Sequence, residues 1–66
     1  MPFVHVRIAD DNATPELKAE LIAGITKVMS DVLNKNPAAT HVVIEEVPTD
    51  NWGVGGDSLT VMRQRP

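Results

Sequence analysis

Three groups of residues in this chain of 66 could do chemistry, and they lie far apart. The first is Met1-Pro2, which runs directly into the alternating stretch Phe3-Val4-His5-Val6-Arg7-Ile8. Proline is small enough for a preceding initiator methionine to be removed in the cell, and the chain would then begin with a secondary amine. Such a nitrogen is a base, whereas with Met1 attached it is an amide and is not. Pro2 is also simply tolerated at the first position of a strand, where it loses no ladder hydrogen bond. The second group is carboxylate: Asp10-Asp11 and Glu45-Glu46. Acid–base or metal chemistry needs carboxylates that converge. The first pair reads as solvated caps near a turn, and the second points to opposite faces of a strand. The third group is Trp52-Gly53-Val54-Gly55-Gly56-Asp57-Ser58. A Gly-rich loop can cradle phosphate, but no Lys-Ser/Thr follows and no long helix begins there. The glycines read as suppliers of positive φ for a short hairpin. Trp52 is then an interface plug or the wall of a pocket.

The elements that must position these groups are few. Residues 2–9 alternate as a strand: Val4, Val6 and Ile8 share one face with Pro2, and Phe3, His5 and Arg7 share the other. His5 reads as a structural or interface histidine and Arg7 as an ion-pair residue. A polar loop, Asp10 to Thr14, leads to a helix with Thr14 as N-cap and Pro15 at its first position. From Pro15 to about Asn34, Leu17, Leu21, Ile25, Val28, Met29 and Val32 recur at helical spacing, with Lys18, Glu20, Lys27 and Asp31 on the polar side. Gly24 in the helix interior suggests a close backbone approach. Asn34, Asn36 and Pro37 stop the helix. Thr40 to Val47 is a second strand, ended by Pro48. Strand, helix, strand implies a right-handed crossover with parallel strands. Ser58 to Met62 is predicted as the return strand of the hairpin, and Arg63 to Pro66 as a solvated or frayed tail. This is an α/β fold: a β-α-β unit with a short C-terminal hairpin, one domain spanning residues 1–66.

Composition narrows the function classes. A lone domain of this size is marginal without disulfides, metals or oligomerisation. There is no cysteine, and His5 and His41 lack ligand spacing, so no metal site is expected. Yet 42% of the residues are hydrophobic, with one Phe and one Trp. Much of that surface should lie between subunits of an obligate homo-oligomer. A net charge of −3 with scattered cations provides no basic stripe for nucleic acid. No apolar run reaches membrane-span length and no signal peptide is visible, so a cytoplasmic protein without membrane partners is expected.

Met1-Pro2 before a strand, one helix, a second strand and then Trp52-Gly53-Val54-Gly55-Gly56-Asp57-Ser58 resembles the 4-oxalocrotonate tautomerase family across the whole chain. The resemblance implies a cofactor-free isomerase in which Pro2 is the general base. It takes a proton from an enol or from a carbon beside a carbonyl, and returns it elsewhere on a conjugated system. An α-amino group has a pKa of about 8 in water, and an apolar pocket, with Trp52 as its aromatic wall, disfavours the charged form. That makes it a usable base. The best-known members place one arginine after the first strand and another at the start of the second; here those positions hold Asp11-Asn12 and His41. Imidazole and amide do not reproduce a two-pronged guanidinium clamp. By resemblance, Asn12 or His41 can donate to a developing enolate oxygen, and Arg63 can supply the missing charge if the tail folds over a neighbouring pocket. The implied partners are a small enol or keto acid and further copies of the chain, as a homohexamer of dimers, with a trimer or dimer as the alternative.

Two other readings stay open. The same scaffold could hydrate, dehalogenate or decarboxylate an unsaturated acid with a protonated proline as the acid. Alternatively, with Met1 retained, the chain is a non-enzymatic binding oligomer.

Overall fold

Alternation at the N-terminus produces β1 (Phe3–Ala9), and the β-branched run produces β2 (His41–Val47). The computed structural model describes residues 1–65. The two strands pair in parallel, from Phe3 opposite His41 to Ala9 opposite Val47. Val4, Val6, Ile8, Val42 and Ile44 are half-buried on one face, while Phe3, His5, Arg7, His41, Val43 and Glu45 are exposed on the other. A tight turn cannot join parallel strands, so the chain must cross over the sheet.

Helix α1 (Pro15–Leu33) makes that crossing. The Thr14 hydroxyl accepts from the Leu17 N–H at 3.1 Å, and Pro15 occupies the first turn, where a missing N–H costs nothing. Asn34 ends the helix in the left-handed region at φ 55, and its N–H donates to the Ser30 carbonyl at 3.0 Å. The helix lies over β2, with Lys18 reaching back to Glu46. Lys18 is therefore half-buried against the sheet.

The segment after β2 departs from the sequence expectation. The hairpin forms as β3 (Gly53–Val54) and β4 (Asp57–Ser58), but the return strand predicted to run to Met62 stops at Ser58. The Ser58 hydroxyl accepts from the Val61 N–H at 3.2 Å and caps a second helix, α2 (Leu59–Gln64). A serine hydroxyl competes with the sheet ladder for nearby backbone donors, and here the cap wins. Arg63 falls in the last turn of α2, where a cation suits the helix dipole. Up to Arg65 the tail is exposed, as the solvated alternative has it, but helical and ion-paired and not frayed; Pro66 lies outside the described residues. Gly24 also differs: a methyl group placed on it would meet nothing within 4 Å, so no backbone of the same chain approaches.

No described residue is buried. The accessible surface is 4913 Å², whereas a compact monomer of this mass exposes about 4100 Å². The radius of gyration is 15.2 Å, against about 11 Å for a compact chain of this length. Beside α1 runs an apolar groove of about 710 Å³ lined by Val4, Leu17, Leu21, Gly24, Ile25 and Met29, with Glu20 its one acid. Among the described residues no helix is long and apolar enough to cross a membrane.

The caps should be separable in urea unfolding at fixed protein concentration. Thr14→Ala is expected to cost about 1 kcal/mol. Asn34→Gly should be nearly neutral, because glycine adopts the left-handed region freely. Asn34→Val should cost about 1–2 kcal/mol.

Candidate active site

The parallel pairing sorts the candidate site residues to the two ends of the sheet. At one end, the His41 N–H donates to the Pro2 carbonyl at 3.0 Å, one step beyond the Phe3–His41 pair. Pro2 is half-buried. The contact is through backbone alone: strand alternation puts the His41 side chain on the face of Phe3 and Pro2 on the face of Val4. Within one chain, imidazole and proline ring therefore do not converge.

At the other end, the Asp10 N–H donates to the Val47 carbonyl at 2.9 Å and closes the ladder. Asn12 follows at φ 61, its N–H on the Asp10 carboxylate at 3.3 Å. Asp10 thus behaves as the expected cap. Asp11 does not, since Arg63 donates to it in two prongs, Nη1 to Oδ1 at 2.7 Å and Nη2 to Oδ2 at 3.4 Å. Arg63 and Asn12 are in this way brought to the same loop.

Trp52 sits at that same end. It is half-buried and lines a hollow of about 300 Å³ with Arg7, Val47, Asn51 and Gly53. The hairpin holds it there. Gly55 at φ 61 and Gly56 at φ 95 provide the two positive-φ positions of a tight two-residue loop. The Leu59 N–H then donates to the Trp52 carbonyl at 2.8 Å. Thr60 bonds Thr49 at 2.7 Å and also reaches Asp50, tying α2 to the turn before Trp52 (Thr49–Asn51).

Distance along the strand decides what one chain can do. Pro2 and Arg7 are five residues apart on an extended segment, about 16 Å at 3.3 Å per residue. Pro2 lies at one end of the sheet, and Trp52 with the Asn12–Arg63 loop lies at the other. A pocket containing both Pro2 and Trp52 would need two chains.

Sequence reading missed Arg7 and Asn51 as neighbours of Trp52, and Asp11 as the partner of Arg63. Only the even-odd parity of Arg7 was readable; its approach to Trp52 depends on tertiary placement. On the exposed sheet face, an imidazole N–H of His5 meets Glu45 at 3.1 Å, and Arg7 Nε lies 3.7 Å from the same carboxylate. His5 is thus a hydrogen-bonding residue of the sheet. Among the described residues no three His, Cys, Asp or Glu side chains gather as a metal site.

Comparison with known proteins agrees with this architecture. A family profile described as "Tautomerase enzyme" matches residues 2–62. The chain belongs to the tautomerase family. This tautomerase-family chain is 57% identical over 65 residues to probable tautomerase K2 of Dickeya dadantii (strain 3937), covering 98% of this chain and 97% of that one. Its fold matches the crystal structure of DmpI from Helicobacter pylori with a TM-score of 0.90 at 39% identity, covering 98% and 100% of the two chains. It also matches a heterohexamer 4-oxalocrotonate tautomerase from Chloroflexus aurantiacus J-10-fl with a TM-score of 0.82 at 27% identity, covering 91% and 95%. Family, relatives and fold together support a tautomerase-type function.

The sole tryptophan reports on the hairpin that places it. Gly56→Ala should strain a positive-φ position by about 1–2 kcal/mol and shift Trp52 emission to longer wavelength. Gly53→Ala should leave the spectrum unchanged, since the added methyl would sit 3.6 Å from the Asp57 carbonyl, an ordinary contact.

Proposed function

We propose that the chain is a cofactor-free keto–enol tautomerase acting on a 2-hydroxydienoate or related enol or 2-keto acid, with Pro2 as general base. The observation that carries this reading is the tautomerase-family match beginning at Pro2, the residue that heads β1. Once Met1 is removed, the ring nitrogen has a lone pair. It takes the proton of the enol hydroxyl, the oxygen electrons form the carbonyl, and the conjugated double bonds shift along the chain. The prolinium returns the same proton to the terminal carbon. Nothing is oxidised or reduced, and the base is regenerated.

Assembly brings the two ends of the sheet together, with Pro2 of one copy walled by Trp52 of another. Trp52 excludes water and keeps the nitrogen neutral. Asn12 or His41 donates to the developing enolate oxygen, and Arg63 faces the substrate carboxylate. A homohexamer built from dimers fits a chain with no buried residue among those described and an apolar groove along α1. The heterohexamer among its structural relatives supports an assembly of six chains. A cytoplasmic setting suits this chemistry.

Protein whose intact mass lacks Met1 should ketonise 2-hydroxymuconate or phenylenolpyruvate. Pro2→Ala should lower kcat/KM about 100-fold or more, and equal rates for the two proteins would sink the proposal. The rate should rise with pH as the amine loses its proton; a falling profile would assign the proline to acid catalysis instead.

Assembly has its own test. The melting temperature should rise with protein concentration, because association stabilises only the folded form. Leu21→Glu, placing a charge in the groove, should shift sedimentation toward the monomer with loss of helical signal. A concentration-independent melt would rule out obligate assembly.

A further inference from the structure

The chain satisfies nearly all of its own positive charge. It has six lysines and arginines, and five of them face an internal carboxylate: Arg7 with Glu45, Lys18 with Glu46, Lys27 with Asp31, Arg63 with Asp11, and Arg65 with Asp57. The sixth, Lys35, follows the left-handed cap that closes α1. An anionic ligand thus meets no unpaired guanidinium among the described residues.

We infer that Asp11 is a specificity-determining residue: its carboxylate holds Arg63 as a built-in competitor, so that the site favours a singly charged acid over a dicarboxylate. The inference deepens the tautomerase reading and rests on it for placing Arg63 at the substrate pocket. Asp11 engages both terminal nitrogens of Arg63, but a guanidinium has five N–H donors, so donors remain for one more carboxylate. One cation between one internal and one substrate carboxylate leaves a single excess negative charge. A second substrate carboxylate would set one cation against three anions, in a chain already at −3.

The side chains of Arg63 and Asp11 are 48% and 65% exposed. Water reaches both, so the pair is a weak and reversible competitor. Exposed ion pairs contribute up to about 1 kcal/mol, which is about five-fold in a binding constant. The pair can therefore bias selection without locking the loop.

Calorimetric titration of the assembled protein with muconate and sorbate, unreactive dienoic acids carrying two carboxylates and one, tests the inference. The wild type should bind sorbate at least as tightly as muconate. Asp11→Asn should tighten muconate about five-fold and sorbate less than two-fold. Asp11→Ser should repeat this, with sedimentation and Trp52 emission confirming an unchanged fold. The gain should vanish in Asp11→Asn combined with Arg63→Gln. Equal effects on both acids, no effect, no binding of either acid, or a gain that survives loss of Arg63 would overturn it. Because neither acid reacts, absence of enol turnover would count against the tautomerase reading while leaving this selectivity measurable.

Discussion

Seven residue pairs in parallel register join β1 to β2, and a parallel pair obliges the connecting helix to cross one face of the sheet. With only two strands beneath it, α1 settles over β2 and leaves the β1 side as an open groove. The opposite face keeps Phe3 and Val43 in water, with Phe3 67% exposed. The same register fixes the ends. Pro2 and His41 share one, while the Asp10–Asn12 loop, Trp52 and α2 share the other. With this pairing no described residue is buried, and Pro2 and Trp52 lie at opposite ends of the sheet; both follow from the one register.

Electrostatics follows a similar economy. Exposed ion pairs contribute little individually to stability, so their main effect here is on what the surface offers to an anion. Pairing Arg63 with Asp11 and Arg65 with Asp57 fastens α2 to the loop and the hairpin, and it leaves neither guanidinium without a carboxylate of its own chain. The loop after β1 holds a carboxylate and an amide, Asp11-Asn12. The nearest guanidinium arrives instead from the other end of the chain.

Much of the fold was readable from local signals with a direct physical cause. Thr14-Pro15 and Asn34 bound α1 because they satisfy or close its ends, and Gly55-Gly56 mark the hairpin because both need positive φ. Ser58 was ambiguous: a small polar residue can end a strand or cap a helix, and only the following turn, Leu59 to Gln64, resolves it. The Arg63–Asp11 pair joins residues 52 positions apart, and no periodicity reaches so far. Pro2 and Trp52 stood out in the sequence as residue types. Their separation to opposite ends did not, because it follows from parallel register and not from spacing along the sequence.

The lack of any buried side chain among the described residues of a single chain changes how substitutions should be read. In an ordinary domain, solvent exposure marks the positions where evolution is permissive. Here Val32, at 72% exposed, and Leu17, at 57%, would be classed as permissive by that measure, although their aliphatic side chains belong to the stripe that gives α1 its sidedness. Ranking variants of this gene by single-chain accessibility would therefore misjudge the harmful ones, and damage would be better gauged by the apolarity of the face a residue occupies.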